Sequence, residues 1–74
     1  MMINAALKER FRKLVDPMGM TKSRCANTLG MSYQTFLDIY ALGKVPCVRL
    51  LLRIANYFNV SIDYLLGRTK KKRK

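Results

Sequence analysis

The chain has 74 residues, half of them hydrophobic, and 15 Lys and Arg against four Asp and Glu give a net charge of +11. That length holds one small core, and that hydrophobicity excludes a disordered polyelectrolyte. The lack of His, the presence of only two cysteines and the shortness of every apolar run argue against a zinc site, a disulfide framework and a membrane span.

Residues 1–7 carry neither the charged start nor the long apolar stretch of a signal peptide, so a reducing cytoplasm is the expected compartment. Leu7, Phe11, Leu14 and Val15 recur at helical spacing, with Asn4 as N-cap, and Pro17 with Gly19 ends this first helix. Thr21 caps a second segment whose narrow apolar face is Cys25, Ala26 and Leu29, stopped by Gly30. Ser32 caps a third, with Phe36 and Ile39 inward, ending near Gly43. Pro46 pre-sets the fourth, where Val48, Leu51, Leu52, Ala55 and Phe58 form the longest periodic run. Ser61 caps a short fifth helix, which Asp63 opens, Leu65 and Leu66 bury and Gly67 closes. No useful period-2 alternation and no internal repeat occurs. The expectation is an all-α, five-helix domain over residues 1–67, followed by a basic, disordered tail over 68–74.

The four carboxylates, Glu9, Asp16, Asp38 and Asp63, do not pair on any helix face, and His is absent. An enzyme is disfavoured, and no catalytic residue, metal or cofactor is expected. Six of the cations lie in the tail, and residues 1–67 still carry net +5. A polyanion is the obvious partner.

The informative stretch is 21–40. Gly30 suits a sharp turn between two helices, Ala26 allows them to cross closely, and Phe36 and Ile39 pack the second against the body. That arrangement leaves the second helix's start and outer face free. It is a helix-turn-helix pattern, whose second helix is the natural reader of a DNA major groove.

Together with Phe11-Arg12-Lys13-Leu14, Gly19-Met20-Thr21, Leu29-Gly30-Met31-Ser32, Gly43-Lys44, Pro46 and the ending from Ile54 to Gly67, this stretch resembles the phage-repressor and Cro-like (Xre-type) helix-turn-helix family. The resemblance spans nearly all of residues 7–67. It implies a compact five-helix, phage-repressor-like fold of bacterial or phage type. It also implies a transcriptional regulator that places its third helix in the major groove of double-stranded DNA, often as a homodimer on a palindromic operator. Carried over residue by residue, it implies phosphate contacts from Thr21, Lys22, Ser32, Thr35 and Lys44. Tyr33, Gln34 and Asp38 fall where base edges are read, and the Gln34 amide suits adenine N6 and N7. Ile62, Tyr64 and Leu65 are the dimer candidates, while Leu37, Leu50, Tyr57 and Tyr64 look surplus to a monomer core.

Three features depart from the family pattern. Lys22 stands where Gln is frequent. The third helix runs one residue further before Gly43, with a shorter loop to Pro46. Leu37 and Tyr40 are apolar where the outer part of this helix is commonly polar.

Plainer readings stand beside these. Ser32, Gln34 and Thr35 form a solvated first turn, Asp38 is a solvated or locally paired residue and Cys25 is a small core hydrophobe. Cys47 takes the cap position of the fourth helix, where Ser is frequent, and a redox role is its alternative. The tail reads as an arm along phosphates, an import signal, a patch for anionic membrane or a solubility tag, the first being preferred. A competing function keeps the fold but uses Leu37 and Tyr40 to bind a protein partner, as an antitoxin-like regulator would. A third is tail-driven, non-specific nucleic-acid binding.

Overall fold

The computed structural model describes residues 2–72. The end of the basic run, Arg73 and Lys74, lies outside the described residues, as does Met1. Five α-helices follow one another: α1 (Ala5–Val15), α2 (Lys22–Leu29), α3 (Tyr33–Leu37), α4 (Val48–Phe58) and α5 (Ile62–Leu65). A 3-10 turn, Asp16–Met18, follows α1, and a π-helical turn, Asp38–Leu42, continues α3. Among the described residues the extended structure is a single antiparallel bridge between Ile3 and Lys44. The fold is all-α.

Local chemistry starts four of the helices. Asn4 Oδ1 accepts from the Leu7 N–H at 2.9 Å, Thr21 Oγ1 from Arg24 at 3.2 Å, Ser32 Oγ from Thr35 at 3.2 Å and Ser61 Oγ from Tyr64 at 3.0 Å. Each satisfies an N–H that the first helical turn leaves without a partner. Cys47 takes the same position before α4 but makes no such bond. Gly30 and Gly43 end α2 and the π turn in the left-handed region, at φ 75° and 73°.

Leu7, Phe11 and Val15 line the buried side of α1, and Phe11 meets Phe36 edge to face at 5.3 Å between ring centroids. Helix α1 packs on the π turn and on α5, while α2 packs on α3 and α4. Ala26, Phe36, Ile39 and Cys25 are buried, as the apolar spacing predicts. The π turn widens the end of the third helical segment locally. Ile39 stays in the core and Tyr40 stacks on Phe36, with centroids 5.6 Å apart.

Helix α4 corrects the predicted apolar run. Its buried residues are Leu51, Ile54 and Ala55, whereas Val48 is 67% exposed and Leu52 47%. Arg49, Arg53 and Asn56 mark the exposed side of this helix, Val48 and Leu52 flank that side, and the opposite side, with Leu51, Ile54 and Ala55, packs against α2 and α5.

The tail departs from the expected disordered arm. The Arg68 N–H donates to the Asp63 carbonyl at 2.8 Å, and the Ser61 N–H donates to the Lys72 carbonyl at 2.7 Å. Arg10 on α1 donates to the carbonyls of both Thr69 and Tyr64. The backbone is therefore fastened to the body as far as Lys72.

Candidate nucleic-acid interface

Two helix starts and one loop build the candidate surface. The tight turn Gly30-Met31 sets the start of α3 beside the start of α2. Thr21, Lys22 and Ser23 from α2 and Tyr33 from α3 line one open cleft of about 430 Å³. Thr21 accepts a backbone N–H in its capping role, which leaves its O–H proton free for an outside acceptor. Tyr33 is 50% exposed.

A second cleft, of about 270 Å³, opens on the other side of α3 between Thr35, Asp38 and the Lys44–Cys47 loop. Ser32 Oγ donates to Thr35 Oγ1 at 2.8 Å, so the Thr35 hydroxyl proton is the one left to point outward. Gln34 bridges towards this cleft: its Nε2 donates to Asp38 Oδ1 at 3.0 Å. Lys44 Nζ sits 3.7 Å from Asp38 Oδ2, and the Lys44 N–H donates to the Asp38 carbonyl at 3.0 Å.

The eight predicted contact residues thus fall into two adjoining groups, Thr21, Lys22 and Tyr33 in one and Ser32, Gln34, Thr35, Asp38 and Lys44 in the other. Asp38 is locally paired, holding Gln34 with one carboxylate oxygen and Lys44 with the other. Gln34 keeps its second N–H and its carbonyl oxygen, which are the two groups a bidentate adenine contact uses. Ser23 was missed by the sequence reading; its hydroxyl on the first turn of α2 is a local signal that could have found it.

The expectation of an outward-facing Leu37 and Tyr40 fails. Both are half-buried against the core, Leu37 at the end of α3 and Tyr40 within the π turn. Tyr40 instead joins three separate segments. Its hydroxyl donates to Asp16 Oδ1 at 2.8 Å, and its carbonyl accepts from Arg12 Nε at 2.8 Å. The Arg12 guanidinium lies 4.7 Å from its ring centroid and the Lys22 ammonium 5.1 Å. The hydrogen bond to the Asp16 carboxylate, helped by desolvation, raises the Tyr40 phenol above its ordinary range. Twenty-four residues separate Asp16 from Tyr40, so no local pattern could reveal this pair.

Of the three dimer candidates, Tyr64 is 7% exposed and Leu65 is fully buried, with Arg10 over the Tyr64 ring at 4.3 Å, and Ile62 is partly exposed. Leu50 is half-buried, whereas Tyr57 on α4 is 49% exposed.

Comparison with protein-family models, with characterised proteins and with solved structures gives no match. Among the described residues no helix is long and apolar enough to cross a membrane. None of them forms a group of three side chains suited to a metal ion.

Proposed function

We propose that this chain is a sequence-specific DNA-binding regulator that sets the start of α3 into the major groove. The observation that carries the reading is the strip made by Thr21, Lys22, Tyr33, Gln34 and Thr35 at two adjacent helix starts. Its members are polar and carry no carboxylate, and the neighbouring carboxylate, Asp38, is already paired with Lys44. Such a strip suits phosphates at its edges and base edges at its centre. The family resemblance and the charge of +11 support the same partner. In this reading Gln34 reads a base, Asp38 orients Gln34, and Thr21, Lys22, Thr35 and Lys44 hold the backbone.

Selection of binding sites from random duplex DNA with the full chain, at ~150 mM salt, tests the reading. A two-fold motif with half-sites about 10 bp apart is the expected result for a dimeric regulator. A single half-site keeps the regulator and removes the dimer, and no enrichment by folded protein overturns the reading. On the selected site Gln34→Ala should cost about 1–3 kcal/mol and relax preference at one base position. Changing Lys70, Lys71 and Lys72 to Gln, rather than truncating, tests the tail while keeping the backbone bonds at Arg68, Thr69 and Lys72. Specific binding should survive that change with a shallower salt dependence.

A protein-interaction role is favoured by a different surface from the one the sequence suggested. Val48, Leu52 and Tyr57 are exposed on α4 next to Arg49 and Arg53, whereas Leu37 and Tyr40 are packed. An isologous pairing through this face would bring like charges together, so a second copy seated here needs counter-ions or DNA between its arginines.

A further inference from the structure

Tyr40 lies behind the candidate DNA surface, and the observations around it converge on Lys22. Its ring is fixed from several sides. Phe36 stacks on it with planes only 16° apart, Arg12 Nε holds its carbonyl at 2.8 Å, and its own hydroxyl donates to Asp16 at 2.8 Å. Lys22 is exposed, lies on the first turn of α2 and lines the cleft shared with Thr21, Ser23 and Tyr33. Its ammonium lies 5.1 Å from the Tyr40 ring centroid, and among the described residues it has no carboxylate partner.

We infer that Tyr40 is a positioning residue that holds the Lys22 ammonium ready for a DNA phosphate. The inference rests on the DNA-binding reading above. A free lysine side chain loses considerable rotamer freedom when it is ordered on a partner. A ring that already restricts the side chain reduces that loss, and a cation–π contact leaves the three ammonium N–H groups able to donate. The Tyr40 hydroxyl bond to Asp16 adds to the fixing of the ring. The lysine is thus neither neutralised by an ion pair nor left to wander.

A double-mutant cycle on the selected site separates positioning from simple packing. Affinity is measured for the full chain and for Tyr40→Leu, Lys22→Ala and the double variant, across a salt series, with thermal unfolding checked for each. Lys22→Ala should lower the slope of log affinity against log salt by about one unit. Tyr40→Leu should weaken binding about two- to fivefold when Lys22 is present. The same change should have no effect on affinity in the Lys22→Ala chain, because a positioning residue acts only through the group it positions. Tyr40→Phe keeps the ring face and should retain most of the affinity.

Equal losses from Tyr40→Leu in both backgrounds would make Tyr40 a packing residue and overturn the inference. Unchanged or tighter binding by Tyr40→Leu would do the same, with the ring then inert or competing with phosphate for Lys22. If the unaltered chain shows no selected site, the DNA-binding reading itself fails. That outcome is distinct from a cycle with no coupling on a site that the chain does bind. Should Tyr40→Leu prove unfolded, the comparison of Tyr40→Phe with Tyr40→Met in the two Lys22 backgrounds decides the same question.

Discussion

The corner from α2 to α3 and the corner from α3 to α4 begin alike and are held differently. Each opens on a glycine in the left-handed region, Gly30 and Gly43. The first needs only one further residue, Met31, before Ser32 caps the next helix, and the Met31 N–H returns to the Ala26 carbonyl at 2.9 Å. The second runs from Lys44 to an uncapped Cys47 and is secured by chain from the other end of the molecule. The Asn4 N–H donates to the Gly43 carbonyl and the Val45 N–H to the Met2 carbonyl, both at 2.8 Å. The backbone of the first corner bonds within itself, with one distant side chain, Arg53, added at the Gly30 carbonyl, and the second borrows backbone from about forty residues away. Of the groups proposed to face DNA, those on α2 and α3 ride on the corner whose backbone closes locally, and Lys44 rides on the borrowed one.

Substituting the two glycines should expose this difference most strongly. A Cβ at Gly43 would lie 2.5 Å from the Asn4 carbonyl oxygen and 2.9 Å from Lys8 Cβ, so backbone must separate as well as adopt a strained φ. We expect Gly43→Ala to cost about 3–5 kcal/mol in thermal or denaturant unfolding. The amides of Asn4 and Val45 should also lose hydrogen-exchange protection together, since one displaced arm frees both. Protection that survives at both sites would mean the arm does not depend on close approach at Gly43.

Gly30→Ala should cost less, about 1–2 kcal/mol. Its nearest neighbour would be Arg53 Nη1, the far end of a flexible side chain that donates to the Gly30 carbonyl and can swing aside. The strain at φ 75° then accounts for nearly all of the loss. Unfolding of the two alanine variants side by side checks the ranking, and a Gly30 cost equal to the Gly43 cost would erase the distinction between the corners.

The same contrast explains what the sequence could and could not reveal. The caps Asn4, Thr21, Ser32 and Ser61 were legible because a cap bond joins residues three apart. The positions of Ala26, Phe36 and Ile39 were legible because they follow one local geometry around Gly30. The N-terminal arm was not, since a one-residue bridge has no alternation to read. The π turn was not legible either, and the packing of Tyr40 within it depends on contacts with α1. Val48 and Leu52 were misassigned because they flank the polar stripe of Arg49, Arg53 and Asn56; that stripe marks the exposed side, and weighing it would have moved the core side to Leu51, Ile54 and Ala55. Tyr64 was taken as surplus because its partner is Arg10, more than fifty residues earlier.

The smallest expected effect lies at the end of the second corner. Cys47 has φ −64° and ψ 161°, close to the values of Thr21 (−63°, 156°) and Ser32 (−71°, 156°), so its backbone already has the geometry of a capping residue. What it lacks is an oxygen, and α4 has no acidic residue in its first turn to compensate. The thiol is exposed, so replacing it sacrifices no core packing. Cys47→Ser should therefore give the Leu50 N–H an acceptor and stabilise the fold by about 0.3–1 kcal/mol. For a domain of this size that is a rise of a few degrees, up to about 8 °C, in Tm. Cys47→Ala, which supplies no acceptor, should show no such rise. A serine variant that melts no higher than the alanine variant would mean that α4 does not need the cap, and that the arm on Gly43 and Val45 already fixes this helix start.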